Sequence, residues 1–385
     1  MSASDSIIKA FYKIASGLPT SKIIIFESNP PFADNTYWFF KYLAENTDVA
    51  DRYELVWMLK DRKDFKDELC GKKIKCILQK PETVKEKLEH IYYRAFSRFI
   101  IDCNSYVLKK NKHQKRVFLG HGMPLKIVKS YDLQKGEVDL NTITTYNFNR
   151  HFYDIGDKDE NMRNFGYCRT DVLANNAGKR NTDTKYIVWM PTYRQHAKSD
   201  HLRMENNFPL GLPVVKTHEE MEEINECLKE NNVILYLRPH PAQDISVMKL
   251  DAMSNIVIAN NDFVNSKGLQ LYEFLCETDA LITDYSSVYY DYLMLERPIA
   301  LTIEDFDDFN KKWDMFYNTI ESFKENYKCP YLYTVEDLKK FIKDVATDND
   351  EYKEERIKAR NKFFDYPDNK VCERLYNFMK EEYGL

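Results

Sequence analysis

Short apolar runs alternate along the chain with longer stretches in which apolar residues return every three or four positions. In the first half, Lys22 to Phe26, Tyr53 to Leu59, Phe99 to Ile101 and Val117 to Leu119 read as strands, while Asn35 to Asn46 and Val84 to Ala95 carry the helical period. Ser28-Asn29-Pro30-Pro31 is the predicted loop after the first strand. The second half repeats the logic with strands at Tyr186 to Met190, Val233 to Leu237, Ile256 to Ile258, Ala280 to Thr283 and Ile299 to Leu301. Glu219 to Glu230 and Gln270 to Cys276 are predicted helices there, and Val335 to Val345, Asp350 to Lys362 and Asn369 to Glu382 close the chain as helices. This alternation predicts an α/β protein built from parallel sheets with crossover helices. Polar and basic residues from Asn175 to Lys185 read as a linker, which predicts an N-terminal Rossmann-like domain over 1-178 and a second over 179-385, with the final helices packing back on the first.

Two stretches are less regular. Asp200 to Pro213 holds His201, Arg203 and two prolines and reads as a loop over a cleft, and Glu304 to Lys311 opens with four carboxylates among two phenylalanines and reads as a solvated acidic loop. At the amino terminus Ile7, Ile8, Phe11, Ile14 and Leu18 recur at helical spacing beside Lys9 and Lys13, a pattern that suits either a membrane surface or the protein's own core.

Composition narrows the function classes. At 385 residues the chain is long enough for two domains, and 43% hydrophobic with 14% aromatic residues predicts packed cores rather than disorder. No Gly-x-Gly-x-x-Gly or Walker-type loop occurs, so neither a nicotinamide enzyme nor a P-loop NTPase is supported. A net charge of -5 gives no general attraction to nucleic acid. Locally, Lys109, Lys110, Lys112, Lys115, Arg116, Lys126 and Lys129 follow one another without a carboxylate between them, which predicts a basic apron for a phosphate-bearing acceptor or an anionic lipid surface. Cys70, Cys76, Cys103, Cys168, Cys227, Cys276, Cys329 and Cys372 show no metal-ligand spacing and read as free thiols of a cytoplasmic protein. The amino-terminal residues do not read as a secretory signal, so none is expected, and no run reaches membrane-spanning length.

Candidate chemistry gathers where apolar runs stop. Leu281-Ile282-Thr283-Asp284-Tyr285-Ser286-Ser287 passes from a strand into hydroxyl residues and then into a helical pattern, with Ser286 or Ser287 as the predicted N-cap. Amides and hydroxyls at such a helix start favour a phosphate. Val117 to Leu119 runs into Gly120-His121-Gly122-Met123-Pro124-Leu125-Lys126, and Val233 to Leu237 runs into Arg238-Pro239-His240-Pro241. Each places a histidine beside Gly or Pro at a strand end, where open α/β sheets bind ligands.

At these residues the chain resembles the CDP-glycerol glycerophosphotransferase family, the teichoic-acid primases and polymerases and their capsule-building relatives. The likeness is carried by His121 to Lys126, by Gly166-Tyr167-Cys168-Arg169-Thr170-Asp171, by Pro191-Thr192-Tyr193-Arg194, by His240-Pro241 and by Ile282 to Ser287. Departures are Gly120 where the family often has Trp, Met123 for Thr and Cys168 for Pro; the lost hydroxyl at Met123 lies beside the predicted base and bears on the acceptor rather than the donor.

The resemblance implies a GT-B architecture, two Rossmann-like domains facing across a cleft. It also implies transfer of a polyol phosphate from CDP-glycerol or CDP-ribitol to a hydroxyl of a glycan or lipid-linked acceptor, with release of CMP. His121 is then the candidate general base and His240 the group touching the donor diphosphate. Ser286, Ser287, Thr283, Asp284, Arg238, Thr192 and Arg194 are donor-side candidates, and Lys126, Arg169 and Asp171 belong to the acceptor or a secondary role. No cofactor and no metal is expected. A peripheral site at the inner face of the membrane fits a lipid-linked acceptor. Two other functions share these features: a GT-B glycosyltransferase using a nucleotide sugar, and an inactive nucleotide-binding subunit of a capsule assembly complex.

Overall fold

The computed structural model describes residues 10–104, 107–123, 125, 138–145, 159–192, 208–240, 243, 245–248, 250, 253–313 and 315–385. By its contacts the chain divides into two compact units. Unit 1 comprises Met1–His121, Lys129–Asp171 and Lys370–Leu385, and unit 2 comprises Gly122–Val128 and Val172–Asn369.

Unit 1 contains β1 (Ser21–Glu27), β2 (Glu54–Leu59), β3 (Glu68–Leu69), β4 (Lys72–Lys73), β5 (Lys75–Leu78), β6 (Ser97–Asp102), β7 (Lys115–Phe118), β8 (Leu140–Thr142) and β9 (Met162–Arg163). Seven of these form one sheet in the order β5-β2-β1-β6-β7-β8-β9, and β3 pairs with β4 as a separate antiparallel ribbon. Every pairing in the large sheet is parallel. Unit 2 contains β10 (Lys185–Met190), β11 (Val233–Leu237), β12 (Ile256–Ile258), β13 (Ala280–Thr283) and β14 (Ile299–Leu301), in the order β12-β11-β10-β13-β14 and again all parallel.

In each unit the first strand lies inside the sheet and later strands step outward on one side, then on the other. The order therefore reverses between β1 and β6 in unit 1 and between β10 and β13 in unit 2, the switch points where such sheets open a crevice at their carboxyl ends. Ile23 to Phe26, Leu55 to Leu59 and Ala280 to Ile282 are apolar and buried throughout, because helices cover both faces of a parallel sheet.

The helices follow their apolar spacing. His218–Glu230 and Val335–Ala346 each begin with a capping box, Thr217 with Glu220 and Thr334 with Asp337. Their buried residues, Met221, Ile224 and Leu228 on one and Leu338, Phe341, Ile342 and Val345 on the other, meet in the core of unit 2 with Ile187, Leu235 and Ile282. In unit 1, Asp34–Asn46 buries Phe39, Phe40 and Leu43. The final helix, Val371–Tyr383, belongs to unit 1, where the Asp171 carboxylate accepts from the Val371 and Cys372 amides, both at 2.9 Å. That contact supplies acceptors to a helix start whose own preceding residue makes no side-chain cap.

Several expectations from the pattern are corrected. Glu304 to Lys311 is not a solvated loop: Phe306–Trp313 is a helix whose Phe306 and Phe309 are buried, with Tyr285 stacked on Phe309 at a centroid distance of 3.8 Å. The carboxylates flank this apolar face, Glu304 accepting from the Val214 amide at 2.7 Å and Asp305 from the Tyr285 hydroxyl at 2.9 Å. Within the stretch read as a loop over a cleft, residues 200–207 lie outside the described residues, whereas Phe208, Leu210 and Leu212 are buried, the leucines in the unit 2 core. The basic apron is largely spoken for. Arg116 is fully buried and forks onto Asp102 (3.2 and 2.8 Å), and Lys109 and Lys115 both pair with Asp139; Lys126 and Lys129 lie outside the described residues. The linker is held to unit 2 by Arg180 on Asp279 at 2.9 Å and by the Gly178 amide on Leu295. Strands β5, β8 and β9 are found only in the structure.

The Arg116–Asp102 pair has no access to water, so removing the cation leaves a buried carboxylate uncompensated. Arg116→Ala is expected to lower the unfolding free energy by about 3 to 5 kcal/mol in a denaturant titration, far more than Lys115→Ala at its half-exposed pair.

Candidate functional site

At the carboxyl edge of the unit 1 sheet, the chain leaves β7 through Leu119 and Gly120 to reach His121. Gly120 has φ +68°, and a Cβ there would lie 2.8 Å from the Tyr167 ring, so no larger residue fits while Tyr167 is in place. Asn35, at the start of the helix after β1, donates to the Leu119 and Gly120 carbonyls at 3.2 and 2.8 Å and accepts from the Arg169 amide at 3.0 Å. One amide side chain thus ties together three segments distant in sequence.

The His121 side chain is 60% exposed, and its Nδ1 lies 2.5 Å from Oδ2 of Asp34, whose side chain is only 8% exposed. Oδ1 of Asp34 accepts from Arg169 Nη1 at 2.6 Å and from the Asn35 amide at 2.8 Å. The same Arg169 nitrogen donates to the His121 carbonyl at 2.9 Å. Burial by itself would raise the Asp34 carboxyl, but the Arg169 guanidinium and His121 outweigh it and hold it well below the usual carboxylate range. Met123 is fully buried, so its thioether fills core space.

Asp171 is committed to the final helix, and burial pushes its carboxyl up to about 6 against the pull of the two amides. Glu27, which closes β1 at the switch point and stands in register with Asp102 on β6, is also buried and accepts from Gln79 at 2.6 Å. Burial, and then the neighbouring Asp102, push its carboxyl up to about 8 despite Lys60, Gln79 and Arg116.

Unit 2 presents a second set at the carboxyl ends of adjacent strands. Thr192, after β10, donates its amide to both Asp284 oxygens at 3.0 and 2.8 Å and its hydroxyl to Oδ1 at 2.5 Å. The Tyr285 amide reaches the same Oδ1 at 2.7 Å, and the Thr283 hydroxyl donates to the Met190 carbonyl at 2.8 Å. Thr283 and Asp284 are fully buried. These bonds latch β10 to β13 across the switch point, so the side chains of Thr283 and Asp284 serve as framework beneath the turn.

Ser286 and Ser287 stand half-buried on that framework. The expected cap differs in detail: Ser287 already has helical angles (φ −61°, ψ −17°) and its hydroxyl makes no cap bond, while Ser286 Oγ lies 3.5 Å from the Val288 amide. The helix that follows is the single short stretch Val288–Leu293, with Val288, Leu293 and Leu295 buried as the pattern implied. Arg238 is turned toward β12, donating to the Ala259 carbonyl and Asn261 Oδ1, both at 2.6 Å, and burial lowers its pKa. His240 is exposed at the carboxyl end of β11, next to β10. Arg194 and Lys126 lie outside the described residues.

Asp34 and Asn35 are the residues that sequence reasoning missed. Their only local signal is an Asp-Asn pair opening a helical pattern just beyond a Pro-Pro loop at a strand end.

Two successive doubly wound parallel units define an α/β protein of the GT-B type. The wall teichoic acid polymerase TagF has the same fold at a TM-score of 0.72 and 19% identity, covering 98% of this chain and 92% of that one. A UDP-N-acetylglucosamine 2-epimerase from Listeria monocytogenes is more distant, with a TM-score of 0.56 and 16% identity over 94% and 96% of the two chains. In sequence, a teichoic acid poly(glycerol phosphate) polymerase of Bacillus spizizenii is 25% identical over 82% of each chain. A teichoic acid glycerol-phosphate transferase of Staphylococcus aureus is 24% identical over 94% of each. The family model for CDP-glycerol:poly(glycerophosphate) glycerophosphotransferases matches residues 10–381, and the chain belongs to that family. It is an enzyme of this class, a transferase of glycerol phosphate or a related polyol phosphate from a CDP-activated donor.

Glu27 gives the unit 1 edge a pH signature. Because its folded-state pKa lies above the unfolded one, its contribution to stability is complete in acid and is lost as pH rises from about 5 to about 8. Unfolding free energy of the native protein relative to Glu27→Gln is expected to fall by on the order of 4 kcal/mol across that window in parallel denaturant titrations. A constant difference would show that the carboxyl is ionised throughout.

Proposed function

We propose that the enzyme transfers glycerol phosphate, or ribitol phosphate, from the CDP-alcohol to a hydroxyl of a glycan or lipid-linked acceptor in teichoic acid or capsule synthesis. The observation that carries the reading is the half-exposed Ser286-Ser287 turn, held on the Thr192–Asp284 latch at the switch point of unit 2. In open α/β sheets that position binds ligands, and hydroxyls there suit phosphate oxygens. TagF, a relative in fold, was soaked with CDPG as a variant.

In this reading the unit 2 edge binds the donor, with Ser286 and Ser287 on phosphate oxygens and His240 donating a hydrogen bond or proton to the departing phosphate. Thr192, Thr283 and Asp284 hold that turn in shape, Arg238 supports β11, and Arg194 is a further donor-side candidate. The unit 1 edge handles the acceptor. His121 takes the proton from the acceptor hydroxyl, whose oxygen bonds to the phosphorus bearing the polyol as the bridging P–O bond breaks and CMP leaves. Lys126 is proposed on the acceptor side with Arg169.

Support for a peripheral membrane position is the exposed apolar set Ile14, Leu18, Val84, Leu88 and Tyr92, with Lys85 and Lys87 exposed beside the last three. Among the described residues no helix is long and apolar enough to cross a membrane.

His121→Ala is expected to cut transfer by roughly 10²- to 10⁴-fold while donor affinity by calorimetry stays within a few-fold. Loss of donor binding in that variant would remove His121 from the acceptor role. Ser287→Ala is expected to raise the Michaelis constant for CDP-glycerol by roughly ten-fold, the scale of a hydrogen bond to a charged group; an unchanged constant counts against the turn as the phosphate site. The reading handles charge with side chains and amides, so product formation, followed by mass spectrometry, is expected to persist in excess chelator.

A further inference from the structure

We propose that Asp34 is the positioning residue for His121, held by Arg169, and that it fixes the imidazole with its proton on Nδ1 and its lone pair on Nε2. The inference rests on the reading of His121 as the acceptor's general base and supplies what that reading lacks, the orientation of the base.

Three features of the geometry carry it. The first is the division of lone pairs on Asp34: Oδ1 is taken by Arg169 Nη1 (2.6 Å) and the Asn35 amide (2.8 Å), while Oδ2 faces His121 Nδ1 at 2.5 Å. Two donors on one oxygen fix the carboxylate plane and aim the other oxygen at the ring. The second is the double use of Arg169 Nη1, which also binds the His121 carbonyl at 2.9 Å, so one guanidinium sets both the backbone of the histidine and the partner of its ring. The third is the contrast in exposure, 8% for the Asp34 side chain against 60% for that of His121. The carboxylate is enclosed and the imidazole is open to a substrate.

The backbone is arranged for this contact. Asp34 has φ +61°, in the left-handed region that Asp tolerates better than most residues at a cost of order 1 kcal/mol. An ordinary helix start does not require that conformation. Asn35, the next residue, grips the two carbonyls before His121, so the helix that carries Asp34 and the loop that carries His121 are fixed to each other twice.

The proton inventory is simple. Asp34 is ionised and can only accept, so Nδ1 is the donor of the 2.5 Å contact and neutral His121 has its free lone pair on Nε2. When the acceptor hydroxyl releases its proton to Nε2, the ring becomes imidazolium and Asp34 stabilises the new charge without itself taking a proton. Arg169 makes Asp34 a weaker base, which keeps that proton on the ring. The Arg169–Asp34 pair is neutral as a unit, so the partner orients His121 without adding a large net charge beside it.

The test uses the full chain labelled with ¹⁵N-histidine, with His121 assigned by the signal missing from His121→Ala. Above the ring's titration, the native protein is expected to show the Nδ1–H tautomer, and Asp34→Asn is expected to shift it toward Nε2–H, since the amide can donate to Nδ1. An Nε2–H tautomer in the native protein overturns the proposal with no variant needed. In transfer assays Asp34→Asn is expected to lower kcat by roughly 10²- to 10⁴-fold with little change in KM for the donor. The kcat of Asp34→Glu is expected to lie between those of the native enzyme and Asp34→Asn. An Asp34→Asn enzyme with the native tautomer, or with native kcat, contradicts the assignment. Failure of the base reading looks different: His121→Ala would retain transfer even though the tautomer measurement came out as expected.

Discussion

A parallel strand covered by helices on both faces favours apolar side chains along its length and leaves most polar ones to its ends, and the arrangement of both units follows from that constraint. Ile23 to Phe26, Leu235 to Leu237 and Ala280 to Ile282 leave no room for chemistry along their length. Polar residues appear where each strand stops: Glu27 as the last residue of β1, Asp102 as the last of β6, His121 beyond β7, Thr192 beyond β10, Arg238 and His240 beyond β11, and Thr283 with Asp284 at the end of β13. The topological reversals then single out two places along those edges, β1 against β6 and β10 against β13, the positions at which open α/β sheets bind ligands.

Carboxylates supply much of the internal order at these edges, and each does so by accepting. Asp34 gathers His121, Arg169 and the Asn35 amide. Asp284 gathers the amide and hydroxyl of Thr192 and the Tyr285 amide, Asp171 holds the first amides of the last helix, and Asp102 takes the fork of Arg116. In every case the donors come from at least one segment remote in sequence. A buried acceptor with several donors is a junction, stable because its desolvation is offset by bonds that no single local element supplies. Ser286 and Ser287 follow directly on the Asp284 junction and stay half-buried, while His121 is itself a member of the Asp34 junction with its side chain 60% exposed.

Legibility from sequence tracks how local each cause is. The long apolar runs and the helices with capping boxes were read within a residue or two, since their causes, spacing and N-terminal hydroxyls, lie within a few positions. Short strands are legible only where they are wholly apolar, as in Ile256–Ile258 and Ile299–Leu301; Leu140–Thr142 and Met162–Arg163 mix apolar with polar residues and carry no such signal. Phe306 and Phe309 were hidden by the carboxylates around them, though their three-residue separation is the helical signal that the fold used. The serine pair was read as a cap; in the structure the turn is shaped from below, by Asp284 and Thr192.

The sequence by itself determined the α/β class, through the alternation of strand and helix periods, and the strand ends at which His121, His240 and the serine turn emerge together with the family, because these are carried by short contiguous motifs. The tertiary structure alone decided which polar residues face outward and which are framework, that Arg116 is core, and that Asp34 reaches His121 across 87 positions of chain. The physical reason is that strand order in a parallel sheet is set by crossovers and packing, and hydrogen-bond partners at a sheet edge are chosen by that order rather than by distance along the chain.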